Sequence, residues 1–196
     1  GTSVFASLDI SGDIDVDGTA NLDVVDVDGA ANFAADVTFA DGADLITASA
    51  GTDNVRIGAT AGDSIQSGGN FNTLVGTNAG TAITTGDSNV AVGRNALDAE
   101  VAGSLSVAIG VGTLTTQSFS TATDVYNTAI GHAAGNQITT GTQNTIIGGL
   151  AGDALTTGAN NVAVGFEALS TEDADGDNVA VGYQALKAQN AGASGQ

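Results

Sequence analysis

The residues able to do chemistry are few. Three cations, Arg56, Arg94 and Lys187, stand against 22 carboxylates in 196 residues, for a formal net charge of −19, with one histidine and no cysteine. Catalysis needs groups of different kinds that converge. His132 has no motif of nucleophile and base around it, and Gly110-Val111-Gly112 is a fragment of a phosphate loop without the lysine that would follow. Paired carboxylates are the remaining enzymatic route, since two acids flanking a glycosidic bond suffice for its hydrolysis. The only glutamates, Glu100, Glu167 and Glu172, recur in no motif with aspartate, so the chain is read as a non-enzyme.

Metal chemistry is similarly sparse. GDIDVDG, residues 12–18, places Asp13, Asp15 and Asp17 as a calcium loop would, but Val24 stands where the bidentate glutamate belongs. Ile14 and Val16 alternate with the aspartates, as a strand with one apolar and one solvated face requires. The strand reading is preferred, so no metal site and no cofactor are expected. Calcium remains the alternative, both there and at the turn carrying Asp173, Asp175 and Asp177.

The acidic charge opposes contact with phosphate backbones and anionic lipid heads. No apolar run is long enough to span a bilayer, so neither nucleic acid nor membrane insertion is expected. Yet 42% of the residues are hydrophobic, mostly small and aliphatic, too many for a disordered acidic tail.

What must position any functional group is a repeat. Glycines 58, 76, 93, 110, 131, 148, 165 and 182 are separated by 18, 17, 17, 21, 17, 17 and 17 residues, which predicts an array of stacked units. Before each glycine stands Ile57, Val75, Val92, Ile109, Ile130, Ile147, Val164 or Val181, and two residues earlier Val or Thr. Residues two apart on a strand share a face, so both columns are expected to point inward. The residue between them is usually alanine (Ala91, Ala108, Ala129, Ala163, Ala180) and is expected to face outward against neighbouring chains. Arg56 in that column marks the transition into the repeat. Four residues before the glycine, seven of eight copies carry Asn and one carries Ser106, a column able to bond along the stack and to turn backbone. Thr-Thr-Gly at 84–86, 139–141 and 156–158 supplies a second turn, so each unit is expected to run strand, corner, strand, corner. Residues 72–114 align without a gap on 144–186, identical at 22 of 43 positions, which marks a duplicated block of four coils.

The unit N-[TV]-x-[IV]-G-x-x-A resembles the head repeat of trimeric autotransporter adhesins. With its A-L ending and T-T-G turn it looks still more like repeat regions of bacteriophage tail fibres. The segment LDISGDIDVDGTANLDVVDVDGAANF, residues 8–33, is similar to shaft segments that precede such repeats in marine phage fibres. The resemblance implies a left-handed β-roll in three parallel chains, carried on a virion tail fibre or, alternatively, on a bacterial cell surface as an adhesin or filament.

The chain is therefore read as all-β: an acidic, irregular β shaft over 1–52, a β-roll or β-solenoid of about eight short coils over 53–187, and a truncated continuation or linker over 188–196. Its expected role is structural, extending a fibre and presenting host-attachment surfaces, with a glycan-cleaving tailspike as a third reading. The expected partners are two further copies in a homotrimer and a host cell-surface glycan or protein receptor. The residue after each anchor runs Ala59, Thr77, Arg94, Val111, His132, Gly149, Phe166, Tyr183, the most variable column in the unit. A solvent-facing turn column explains this simply. The sharper reading makes Arg94, His132, Phe166 and Tyr183 binding residues, joined by Phe119 and Tyr126, which the longest spacing is expected to bring beside His132.

Overall fold

The computed structural model describes residues 50–171 and 174–188, so the expected shaft and tail lie almost wholly outside the described residues. Within them the fold is all-β: parallel strands stacked as a solenoid. Eight three-residue strands form one sheet: β1 (Val55–Ile57), β2 (Thr73–Val75), β3 (Val90–Val92), β5 (Val107–Ile109), β7 (Thr128–Ile130), β8 (Thr145–Ile147), β9 (Val162–Val164) and β10 (Val179–Val181). Each pairs in parallel with the next, column on column, as in Val90↔Val107 and Val92↔Ile109. Two shorter strands, β4 (Gly103–Ser104) and β6 (Thr123–Asp124), pair beside this sheet. Among the described residues there is no helix, and so none long and apolar enough to cross a bilayer.

The strands present the opposite faces from those expected. The alanines Ala91, Ala108, Ala129, Ala163 and Ala180 are buried inside the coil, together with a second alanine column, Ala61, Ala79, Ala96, Ala134, Ala151 and Ala168. The β-branched column is outside: Ile57, Ile109, Ile130, Ile147 and Val181 are exposed, and Val75, Val92 and Val164 are half-buried. The reason is steric. A coil of about 17 residues encloses a thin interior, and β-branched side chains along the strand would overfill it. Alanine lets the strand approach the opposite wall.

Where the inward strand residue is large, glycine on that wall makes the space. A Cβ at Gly80 would lie 2.8 Å from Leu74 Cδ2 and 2.8 Å from Ile83 Cδ1; one at Gly152 would lie 3.1 Å from Ile146 Cδ1 and 2.9 Å from Leu155 Cδ1. The coils of Ala91, Ala108 and Ala163 instead place Leu97, Leu114 and Leu169 at that position, all fully buried, whereas the Ala129 coil carries Gly135, where a Cβ would lie 3.1 Å from Leu114 Cδ2 of the coil before. The choice of glycine or leucine is thus a trade of volume within most coils and, at Gly135, with the neighbouring coil.

The second strand expected in every unit is absent. Outside β4 and β6, the rest of each coil is turn, built on left-handed residues that are mostly not glycine, such as Asn95 (φ 58), Leu97 (φ 53) and Ser88 (φ 58). Left-handed backbone costs a branched residue most, and Asn least among non-glycines. The repeated hydrogen bonds from coil to coil hold it in place, as in Asn95 N to Thr77 O at 3.0 Å and Leu97 N to Thr113 O at 3.0 Å. The anchor glycines are indispensable on separate grounds. Gly93 sits at φ +135, and a Cβ there would lie 2.4 Å from Gly110 O.

The asparagine column forms the expected ladder. Asn54 Oδ1 accepts from Asn72 N at 2.8 Å, Asn72 Oδ1 from Asn89 N at 2.9 Å, and Asn144 Oδ1 from Asn161 N at 2.9 Å. From Asn54 through Asn161 each Nδ2 donates to a turn carbonyl of the following coil, as from Asn72 to Gly86 O at 2.9 Å and from Asn144 to Gly158 O at 2.9 Å. Buried amides need partners, and the repeat supplies them at each step except the one that Ser106 interrupts.

Candidate functional site

The glycine corner ends each strand and turns the chain onto a second face, where the variable column stands. Three successive coils place Arg94, Val111 and His132 along it, with Arg94 and His132 exposed. Between them lies a groove of about 390 Å3, lined by Arg94, Asn95, Gly112, Thr115, His132 and Asn136 among others. Its floor is the middle coil, where Val111, Gly112, Thr115 and Thr116 are small. Thr116 Oγ1 shares its one proton between Asn136 O at 2.8 Å and Ile138 O at 3.0 Å, which holds it down against the coil. Asn136 Oδ1 is buried without a hydrogen-bond partner.

The structure therefore joins two of the expected binding residues, Arg94 and His132, across one groove. Two others, Phe166 and Tyr183, stack on adjacent coils with ring centroids 6.0 Å apart and planes 12° apart, both exposed. Phe119 and Tyr126 are not among the groove's lining residues. Tyr126 precedes β7 and His132 follows it, so the strand separates them. The Tyr126 hydroxyl instead reaches Asp124 Oδ2 at 3.4 Å. Half-buried Phe119 offers its backbone N to Glu100 Oε1 at 3.0 Å and its carbonyl to Ala102 N at 2.9 Å.

Charge on the turn face is arranged in two ways. Lys187 pairs with Glu167, which also accepts from Gln184 Nε2 at 2.6 Å. Lys187, then Gln184, hold the Glu167 carboxyl below its ordinary value of 4.5. Burial pushes Asp98 and Asp153 above the ordinary 3.8, partly offset by hydrogen bonds from backbone N–H groups.

One polar cluster escaped sequence reasoning. Glu100 is fully buried. Its Oε1 accepts from the backbone N of Val101 (2.8 Å), Gly103 (2.7 Å) and Phe119 (3.0 Å), and its Oε2 from Gln117 Nε2 (2.9 Å). Gln117 also donates to Ser106 Oγ at 3.0 Å and accepts from Asn127 Nδ2 at 2.8 Å. Ser106 is too short to carry the amide ladder onward, and Gln117 bridges the gap to Asn127. The signals were present together: the one serine in the asparagine column, the one 21-residue spacing, and Glu100 and Gln117 where Ile65, Ile83, Ile138 and Leu155 stand in other coils. A carboxylate held by this many donors in the core is a structural element, and no nucleophile or proton shuttle meets it among its bonded partners.

Among the described residues no group of three His, Cys, Asp or Glu side chains could hold a metal ion. Asp13, Asp15, Asp17 and Asp173 lie outside the described residues, so both calcium alternatives rest on the sequence. No family model matches the chain, and neither a curated protein nor a solved structure matches it.

Proposed function

We propose that the chain is a structural segment of an extracellular attachment fibre, three copies lying parallel, with a phage tail fibre as the owner and a bacterial surface adhesin as the alternative. The owner rests on the resemblance of the repeat. The observation that carries the structural reading is the outer face of the eight-stranded sheet. Sixteen side chains cover it in two columns, thirteen of them Val or Ile and three Thr, in a chain of net charge −19 that places none of its charges there. An all-parallel sheet ordinarily has both faces covered, and contiguous exposed apolar surface marks an interaction site. The cover that fits every coil at the same pitch is the same face of another copy. Self-association therefore belongs to the β-branched face, the alanine face being the interior.

Light scattering during size exclusion tests this. The expected result is a trimer at micromolar concentration, and a monomer once Ile109 and Ile147 are both changed to Lys, with the circular dichroism of the wild type retained. A wild-type chain that stays monomeric at tens of micromolar would overturn the reading.

A further inference from the structure

We infer that the groove between Arg94 and His132 is a binding site for a carboxylated sugar, a uronic acid residue within a surface polysaccharide. The inference rests on the attachment reading above and names the ligand class that one site on the fibre would take.

The first argument is charge. Arg94 is one of three cations in a chain with 22 carboxylates. Lys187 is paired with Glu167, and Arg56 lies in the inward strand column with Nε donating to Ala61 O at 2.7 Å. Arg94 makes no ion pair or side-chain hydrogen bond among the described residues, and no carboxylate lines the groove it borders. A guanidinium offers a fork of donors matched to a carboxylate. An acidic chain that leaves one such fork open beside a concavity holds it ready for an anion from outside.

Shape and lining are the second argument. The groove volume, about 390 Å3, falls in the range of small-molecule sites, roughly 300–1,000 Å3. Asn95, Asn136 and Gln137 carry carboxamides, Thr115 and Thr116 hydroxyls, and Val111 a small apolar surface. Amides and hydroxyls match the alternating donors and acceptors of a pyranose ring, and the valine its C–H face. A bare inorganic anion would use Arg94 and leave the rest of the lining idle. His132 closes the far end.

The third argument is Gly112. Its φ is +67, but the equivalent residues in neighbouring coils hold the same left-handed backbone with side chains: Asn95 (φ 58), Ala133 (φ 53), Leu150 (φ 56), Glu167 (φ 54) and Gln184 (φ 53). A Cβ at Gly112 would meet only Thr115 Oγ1, at 3.5 Å, an ordinary contact. Glycine eases the left-handed backbone, but the other coils meet the same conformation with side chains, and nothing crowds the position. What glycine does is leave the groove open.

The experiment uses immobilised oligogalacturonate, oligoglucuronate and oligomannuronate, each beside its methyl ester, with binding read by surface plasmon resonance at about 0.15 M salt. Wild type is expected to bind at least one acid form about tenfold more tightly than its ester, the scale of one charge-assisted contact. Arg94→Gln should lose that preference. Gly112→Gln should lose binding of acid and ester alike while still folding cooperatively with only a small drop in melting temperature, since Gln184 already occupies that position in its own coil. Binding to none of the three acids, equal binding of acid and ester, or unchanged binding by Arg94→Gln would each overturn the proposal. Size-exclusion mass measured on the same samples separates failure of the groove from failure of the trimer.

Discussion

A buried amide or carboxylate in this coil is stable only because the next coil supplies its partner. The asparagine column was legible because it recurs at a fixed offset from a glycine, and recurrence is what sequence alone reveals. The cluster of Glu100, Ser106, Gln117 and Asn127 was not legible because it occurs once and its members are joined only by the fold. Gln117→Ala would leave Glu100 Oε2 and Ser106 Oγ without their donor and should cost about 3 kcal/mol in chemical denaturation, the sum expected for stranding buried polar groups. Loss under ~0.5 kcal/mol would mean that the bridge contributes little. The aspartates of the turn face act with the opposite sign. With its carboxyl raised by burial, folded Asp98 holds a proton more readily than unfolded Asp98. Stability is therefore lost as pH rises from the unfolded value of 3.8 through the raised one. Asp98→Asn keeps an acceptor for the backbone donors and should raise the melting temperature at pH 7, with the gain vanishing below about pH 3.8. A gain that persists unchanged in acid would point to a cause other than ionisation.

At the scale of the element, period two identified the strand but not which face turns inward. Apart from Arg56 in β1 and three outward threonines, both faces of the strands are apolar, so alternation carries almost no polar marker, and hydrophobicity alone favours burying the larger residues. Width decides instead. The deciding residues are Leu74 and Ile146, large inward residues that occur in the coils carrying Gly80 and Gly152. The pairing was readable in the alternating glycine and leucine, but only once the interior was known to be thin. Gly80→Leu tests the trade. The backbone cost is one the coil already meets elsewhere, since Leu97 holds φ 53 where Gly80 holds φ 55. The new side chain meets Leu74 and Ile83, and should cost about 1–3 kcal/mol by overpacking. Adding Leu74→Ala converts the coil toward the Ala91/Leu97 type and should return most of that loss, a coupling visible in a double-mutant cycle. Additive costs would show that the two side chains do not share one space.

For the whole molecule, each coil touches its neighbours, and stability is a sum of coils and contacts between them. The duplication of residues 72–114 as 144–186 then has a mechanical meaning: the array can change length wherever the coils at the new junction are of matching type. Deleting residues 72–143 would place Asn144 directly after coil one. Ile146, Gly152 and Leu155 would stand where Leu74, Gly80 and Ile83 stood, and Asn54 Oδ1 would meet Asn144 N in place of Asn72 N. The variant should fold cooperatively, shorter by four coils or about 19 Å at 4.8 Å each. Deleting residues 72–142 instead leaves one residue too many in that coil. Every column beyond the junction must then bulge or slip, and a slip of one turns alanines outward and β-branched residues into an interior too narrow for them. Circular dichroism melts of the two variants should therefore differ sharply, with a sigmoidal transition near that of the wild type for the first and a lower, broadened one for the second. Equal behaviour would mean that the coil absorbs extra residues in its turns. The 21-residue spacing between Gly110 and Gly131 does this once, with β4, β6 and the Glu100 cluster built around it. The deleted segment contains that support in full, so the junction in the second variant has nothing comparable to hold its extra residue.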